Sequence, residues 1–118
     1  MIARLTISER YHSVNIGKDT LRLLDNPDSV LLLVNPEEGT LAVRKNEHED
    51  PRGHKVKTDG KGMFRLYSKS LCTAMAPYLK EPEGERKAVT LHGTLKEDAV
   101  LFFLNGEEPS EYTGRIPS

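Results

Sequence analysis

The stretch Val30-Leu31-Leu32-Leu33-Val34, then Asn35-Pro36-Glu37-Glu38-Gly39-Thr40, then Leu41-Ala42-Val43-Arg44, decides the fold class. Val30 to Val34 is a continuous apolar run of strand length, too short for a buried helix, and Leu41 to Arg44 is a shorter partner. Pro36 presets φ for the first central position of a type I turn, and Gly39 can take positive φ at the exit, so the two runs read as a β-hairpin.

Working outward toward the N-terminus, Lys18 to Asp25 places Thr20, Leu21 and Leu24 at helical spacing for about two turns. Asn26-Pro27-Asp28-Ser29 ends that helix, because proline cannot continue the ladder and disfavours a helical residue before it. Before Gly17, His12-Ser13-Val14-Asn15-Ile16 and Arg4-Leu5-Thr6-Ile7-Ser8 alternate polar and apolar, which predicts two strands joined by Glu9-Arg10-Tyr11.

Working outward toward the C-terminus, residues 45–54 are charged and read as a mobile connection. His54 to Thr58 reads as a strand, Asp59-Gly60-Lys61-Gly62 as its turn, and Met63 to Tyr67 as a further strand. Ser68 is a good N-cap for a helix with Leu71, Ala74, Met75, Tyr78 and Leu79 on one apolar face, and Pro77 ends or kinks it near Ala76. Beyond a charged loop from Lys80 to Arg86, Ala88 to His92 and Val100 to Leu104 read as strands joined across Gly93 to Ala99. Residues 106–118 read as a turn-rich tail.

The chain of 118 residues fits one domain, 1–118, able to bury roughly two thirds of its unfolded surface. With no Trp and few aromatics, its core must be mostly Leu, Val, Ile and Ala. The expected class is α+β, mostly β, and the halves 1–45 and 54–105 repeat one another in order. Val14-Asn15-Ile16 answers Phe64-Arg65-Leu66, Leu21 answers Leu71, Val30-Leu31-Leu32 answers Val89-Thr90-Leu91, and Leu41-Ala42-Val43 answers Val100-Leu101-Phe102. A unit of this size cannot cover its own apolar face, whereas two packed about a pseudo-dyad can.

The strand-strand-helix-strand-strand order, carried by Leu5-Thr6-Ile7, Val14-Asn15-Ile16, Arg22 and Leu24 and the Asn35 to Gly39 hairpin, resembles the DNA-binding domain of the AbrB, MazE and SpoVT family. As a tandem it is similar to the fused pseudo-dimers of the MraZ type. Where the family usually has a proline after the second strand, Gly17 and Tyr67 stand here, and Leu24-Asp25 replaces its Leu-Gly helix end. The resemblance implies a small swapped-hairpin barrel with two short helices. It also implies a DNA-binding, transcription-regulating role in which Arg4 and Arg10 in the first half, and Lys55, Lys57 and Lys61 in the second, face duplex DNA.

Charge distribution adds to this independently. Residues 44–69 hold eight basic side chains (Arg44, Lys45, Arg52, Lys55, Lys57, Lys61, Arg65 and Lys69) against four acidic ones. Cations gathered on one face neutralise phosphates and release counterions, so Arg4, Arg10, Arg44, Lys45, Arg52, Lys55, Lys57, Lys61 and Arg65 are the candidate nucleic-acid-binding residues, and Arg10, Tyr11, Lys55, Lys57, Lys61 and Arg65 are candidates to share such a face. Residues 81–111 are acidic instead, and the whole chain carries a net charge of only −1. That keeps open a protein-interaction module, antitoxin-like or associated with phage and mobile elements, that uses 81–111 against a basic partner. A third reading is a GyrI-like small-ligand domain, for which aromatics are scarce.

Enzyme chemistry is not expected. His12, His48, His54 and His92 show no ligand spacing, and Cys72 reads as a packing residue, so no metal or cofactor is predicted. Gly60-Lys61-Gly62 lacks the spacing and following hydroxyl of a phosphate loop. The single cysteine and the absence of an apolar leader or span predict a cytoplasmic monomer or homodimer with no membrane partner.

Overall fold

The computed structural model describes residues 3–8, 10–79 and 88–105. Eight antiparallel strands form a half-barrel with two short helices. In chain order these are β1 (Ala3–Ser8), β2 (Ser13–Ile16), α1 (Lys18–Leu23), β3 (Ser29–Asn35), β4 (Thr40–Lys45), β5 (His54–Lys55), β6 (Phe64–Tyr67), α2 (Lys69–Met75), β7 (Ala88–Lys96) and β8 (Ala99–Phe103). Across the sheet the order is β5-β3-β4-β8-β7-β1-β2-β6. The two end strands are consecutive in the chain. A bridge between Thr58 and Phe64, with the Asp59 amide donating to the Met63 carbonyl at 2.9 Å, ties the segment after β5 to β6.

Strand alternation sorts the side chains. Leu5 and Ile7 of β1, Val14 and Ile16 of β2, Leu41 and Val43 of β4, and Val100 and Phe102 of β8 all turn inward to one buried core. Leu21 and Leu24 from the first helical segment, and Cys72 and Met75 from α2, enter that same core, so both helices pack against the inner face. β8 is buried at every position. Its outward residues Ala99, Leu101 and Phe103 join Ala42 of β4 in a second apolar cluster, with Leu33 packed against it. A central strand buried on both faces accounts for the unbroken apolar run that Val100 to Leu104 shows in sequence.

The first hairpin forms as its sequence predicts. Gly39 takes φ of +65°, and the Asn35 side chain accepts from the Glu37 amide at 3.1 Å, bracing the turn. At the end of α1 the chain leaves through two left-handed residues, Asp25 and Asn26. Both have short polar side chains that tolerate this region better than most.

Beyond β5, where only His54–Lys55 of the strand expected over His54 to Thr58 forms, two elements differ from the sequence reading. Residues Cys72 and Met75 are the buried face of α2, while Leu71 is half-buried and Ala74 and Tyr78 are exposed. Ser68 sets the helix phase, and the helix tightens to a 3₁₀ turn over Ala76–Tyr78 around Pro77, so the residues beyond Met75 leave the α-helical stripe. Secondly, β7 does not stop at His92 but runs through Gly93 to Lys96, leaving only Glu97 and Asp98 as the turn to β8. The sequence places Gly93 in the connection, yet here it lies in the strand opposite Phe102, whose ring occupies the space a side chain would need.

The Ser68 hydroxyl accepts from the Leu71 amide at 3.3 Å, satisfying one of the unpaired donors of the first turn. Ser68→Ala is expected to lower stability by about 1 kcal/mol, seen as a lower urea midpoint at unchanged slope.

Candidate nucleic-acid interface

Because side chains alternate along β1, the residues between the inward Ala3, Leu5 and Ile7 face outward: Arg4, Thr6 and Ser8. Register extends that surface over the neighbouring strands. Thr90, Thr6, Asn15 and Arg65 line up across β7, β1, β2 and β6, and Ala88, Ser8, Ser13 and Tyr67 form the next row. Arg4 stands beside His92 in the row above. The hydroxyls of Thr6 and Thr90 are 3.0 Å apart. Arg65 Nε donates to Asn15 Oδ1 at 2.9 Å, which holds the guanidinium upright on the sheet.

At the lower edge of this face the β1–β2 turn presents Arg10 and Tyr11, with the Arg10 guanidinium 5.3 Å from the centre of the Tyr11 ring, a cation–π contact. Together these residues border an open groove of about 620 Å³ lined by Thr6, Ser8, Arg10, Tyr11, Ser13, Asn15, Arg65, Tyr67 and Ala88. Among the described residues no carboxylate lines it. Tyr11 and Tyr67 are exceptional for exposed aromatics, at 61% and 65% of their full area.

Of the nine basic residues singled out in sequence, the structure brings three to this face: Arg10 and Arg65 in the groove, and Arg4 just above it. Three others are ion-paired elsewhere. Arg44 meets Asp98 at 2.8 Å, Lys45 meets Asp25 at 3.2 Å, and Arg52 meets Asp50 at 2.8 Å. The Arg52 side chain and its amide together hold the Asp50 carboxyl at about 2, well below the usual carboxylate value. The same loop is folded back on itself by Asn46, which accepts from the Asp50 amide at 2.8 Å and donates to the Asp50 carbonyl at 3.0 Å.

Lys55, on the edge strand β5, borders a different groove of about 650 Å³ where Asp28, Glu47, Glu49 and Asp50 outnumber it and Lys45. Lys57 is exposed in the segment that follows β5. Lys61 lies in the turn before β6, where Asp59 accepts from the Lys61 amide at 2.8 Å and the Met63 amide at 3.1 Å. The Met63 and Lys61 amides, aided by the charges of Lys61 and Arg65, lower the Asp59 carboxyl from its ordinary value. Of Arg10, Tyr11, Lys55, Lys57, Lys61 and Arg65, expected to share a face, Arg10, Tyr11 and Arg65 line this groove.

Thr6, Asn15, Tyr67 and Thr90 belong to the surface and had no sequence signal as site residues beyond sitting at outward positions of alternating strands. Their grouping depends on pairings between distant segments, Thr6 with Thr90 and Asn15 with Arg65.

In the acidic stretch, Glu97 and Asp98 form the β7–β8 turn. Glu81, Glu83, Glu85, Glu107, Glu108 and Glu111 lie outside the described residues. A small groove of about 280 Å³ beside that turn has Leu23, Leu24 and Leu95 as apolar lining and Asp25, Lys45, Glu47, Glu97 and Asp98 as charged lining. Among the described residues no three His, Cys, Asp or Glu side chains are grouped to hold a metal ion. Cys72 is buried, its sulfur 4.0 Å from the Ser13 carbonyl. No helix among the described residues is long and apolar enough to cross a membrane.

Compared with protein-family models, curated proteins and solved structures, the chain has no significant match.

Proposed function

We propose that this chain is a small, non-enzymatic DNA-binding regulator built as a fused pseudo-dimer of the AbrB type, with the outer face of β7, β1, β2 and β6 as its nucleic-acid surface. The observation that carries the reading is the groove in which Arg10, Arg65, Tyr11 and Tyr67 converge with no carboxylate among its described lining residues. Guanidinium groups held there neutralise phosphates and release counterions, and the surrounding hydroxyl and amide side chains can bond phosphate or base edges.

Topology supports the pseudo-dimer. The β3–β4 hairpin stands between β5 and β8, and the β7–β8 hairpin stands between β1 and β4. Exchanging β1 to β4 with β5 to β8 leaves each hairpin with equivalent neighbours, as interleaved halves require. Gly17 and Ser68 are the corresponding helix caps, and Leu21 and Leu24 correspond as buried residues to Cys72 and Met75. That equivalence is one residue on from the Leu21 to Leu71 pairing read in sequence. The tandem duplication is thus part of the proposal, and the surface draws on both halves, β1 and β2 from the first and β6, with Arg65 and Tyr67, and β7 from the second.

Fluorescence anisotropy with labelled duplex DNA in a salt series tests the reading. Binding should be tight at ~50 mM salt and weaken log-linearly as salt rises, with a slope of about −0.9 for each phosphate engaged. Absence of binding at the lowest salt removes the proposal. The reading then left standing is a protein-interaction module, favoured by the groove beside the β7–β8 turn, where Leu95 is 46% exposed within a largely acidic rim.

A further inference from the structure

Exposed tyrosines are an unexpected component of a surface for duplex DNA. In a duplex each base is already stacked on its neighbours, so the faces of the bases are hidden and a protein meets only their edges and the phosphates. A ring standing on a sheet gains little from such a partner. An unpaired base offers its whole π-face, and stacking on an aromatic side chain is tolerant of sequence because every base has one.

The groove has the parts that stacking needs. Tyr11 and Tyr67 both border it and both expose more than half of their area. Side chains stand roughly perpendicular to a sheet, which places the Tyr67 ring as a wall above the short Ser13 and Ser8 of its own row. Arg10, at 5.3 Å from the Tyr11 ring centre, widens that second platform with a planar cation. Arg65 Nε is fixed by Asn15 and its charge also acts on the Asp59 carboxylate, while the guanidinium itself lines the groove, where it can meet a phosphate between the stacked bases. A volume of about 620 Å³ is within the ~300–1,000 Å³ of clefts that hold small molecules, suited to nucleotide units rather than to the width of a double helix.

We infer that this groove takes unpaired DNA, stacking its bases on Tyr11 and Tyr67 and holding its phosphate with Arg65 and Arg10, in preference to duplex. The inference rests on the nucleic-acid reading above and narrows it to a strand that is open or opened at the site.

The test uses the full chain with a mixed-sequence oligodeoxynucleotide, single-stranded and annealed to its complement, by anisotropy at low and physiological salt. The chain has four Tyr and no Trp, so tyrosine emission reports stacking directly. The single strand should bind at least tenfold more tightly than the duplex and quench tyrosine emission. Tyr67→Leu and Tyr11→Leu should each weaken single-strand binding roughly 5- to 150-fold, the equivalent of about 1–3 kcal/mol per stacked base, and weaken duplex binding by a clearly smaller factor. Tyr67→Phe, which keeps the ring, should bind like the parent. Both positions are exposed, so circular dichroism and melting of the variants should match the parent. Duplex binding equal to or tighter than single-strand binding overturns the inference and leaves the nucleic-acid reading. So does full single-strand affinity in both leucine variants. Single-strand binding with no duplex binding keeps the inference and removes the duplex regulator, and binding of neither form at low salt removes both.

Discussion

Gly93→Val should lower the stability of this protein by about 3 kcal/mol or more, a fall in melting temperature on the order of 10 °C. Gly93 lies in mid-strand with an unremarkable backbone, so the effect comes from space and not from φ. A Cβ built there would meet two ring carbons of Phe102 at 2.7 and 2.8 Å and the Leu101 carbonyl oxygen at 2.9 Å. Phe102 is fully buried, and its ring is held among Leu5, Ile7, Leu41 and other residues of the main core. The ring cannot swing into water, and the carbonyl belongs to a strand paired on both sides. The sheet must part locally or the ring must leave its rotamer. Valine's preference for strands offsets only a fraction of this, on the order of 1 kcal/mol at most. Phe102→Ala alone should cost about 3–5 kcal/mol as an unfilled cavity. In that background the added cost of Gly93→Val should shrink to about 1 kcal/mol, the remainder being the contact with the carbonyl, so the pair should show strong coupling in a double-mutant cycle followed by urea unfolding.

The Gly93 case also marks where sequence reading reaches its limit. Local patterns predicted the β3–β4 hairpin, the alternating strands around Leu5 and Val14, the Ser68 cap and the apolar strand Val100 to Leu104, because each is set by neighbours a few residues away. Sequence alone places Gly93 in the connection between two strands because nothing nearby reveals Phe102 across the turn. The buried face of α2 is legible in part: Met75 faces the core as its spacing predicts and Leu71 packs against it half-buried, while Cys72 is more deeply buried than Leu71 and Ala74 is exposed. The site was less accessible still. Arg44 and Lys45 look as available in sequence as Arg10 and Arg65, and only tertiary structure reveals Asp98 and Asp25 beside them, whereas Asp50 stands two residues from its partner Arg52. The groove depends on the register of β2 against β6, segments 50 residues apart at Asn15 and Arg65, where Tyr67 arrives as a neighbour of Ser13.

That distinction between cations in short ion pairs and those on the groove face leads to the second large expected effect. Replacing Arg4, Arg10 and Arg65 together with glutamine should reduce the salt slope of duplex binding by about 2.7, and that of single-strand binding by about 2, if each arginine engages one phosphate. Since the electrostatic contribution grows as salt falls from about 1 M, the duplex loss amounts to several hundredfold in affinity near 0.1 M salt. Lys45→Gln with Arg52→Gln removes two charges from the same chain but from ion pairs with Asp25 and Asp50, away from the groove. Those substitutions should change the slope by less than one. A general response to net charge would instead scale with the number of cations removed and affect both variants in proportion. Arg4 is an exposed strand residue, Arg10 lies in an exposed turn, and Arg65 is exposed on β6, so melting temperatures of both variants should stay close to the parent. Equal loss in the two variants would place the contact surface elsewhere on the molecule. Loss confined to the first would assign it to the outer face of β1, β2 and β6, and the difference between the duplex and single-strand slopes would indicate which form of DNA the arginines meet.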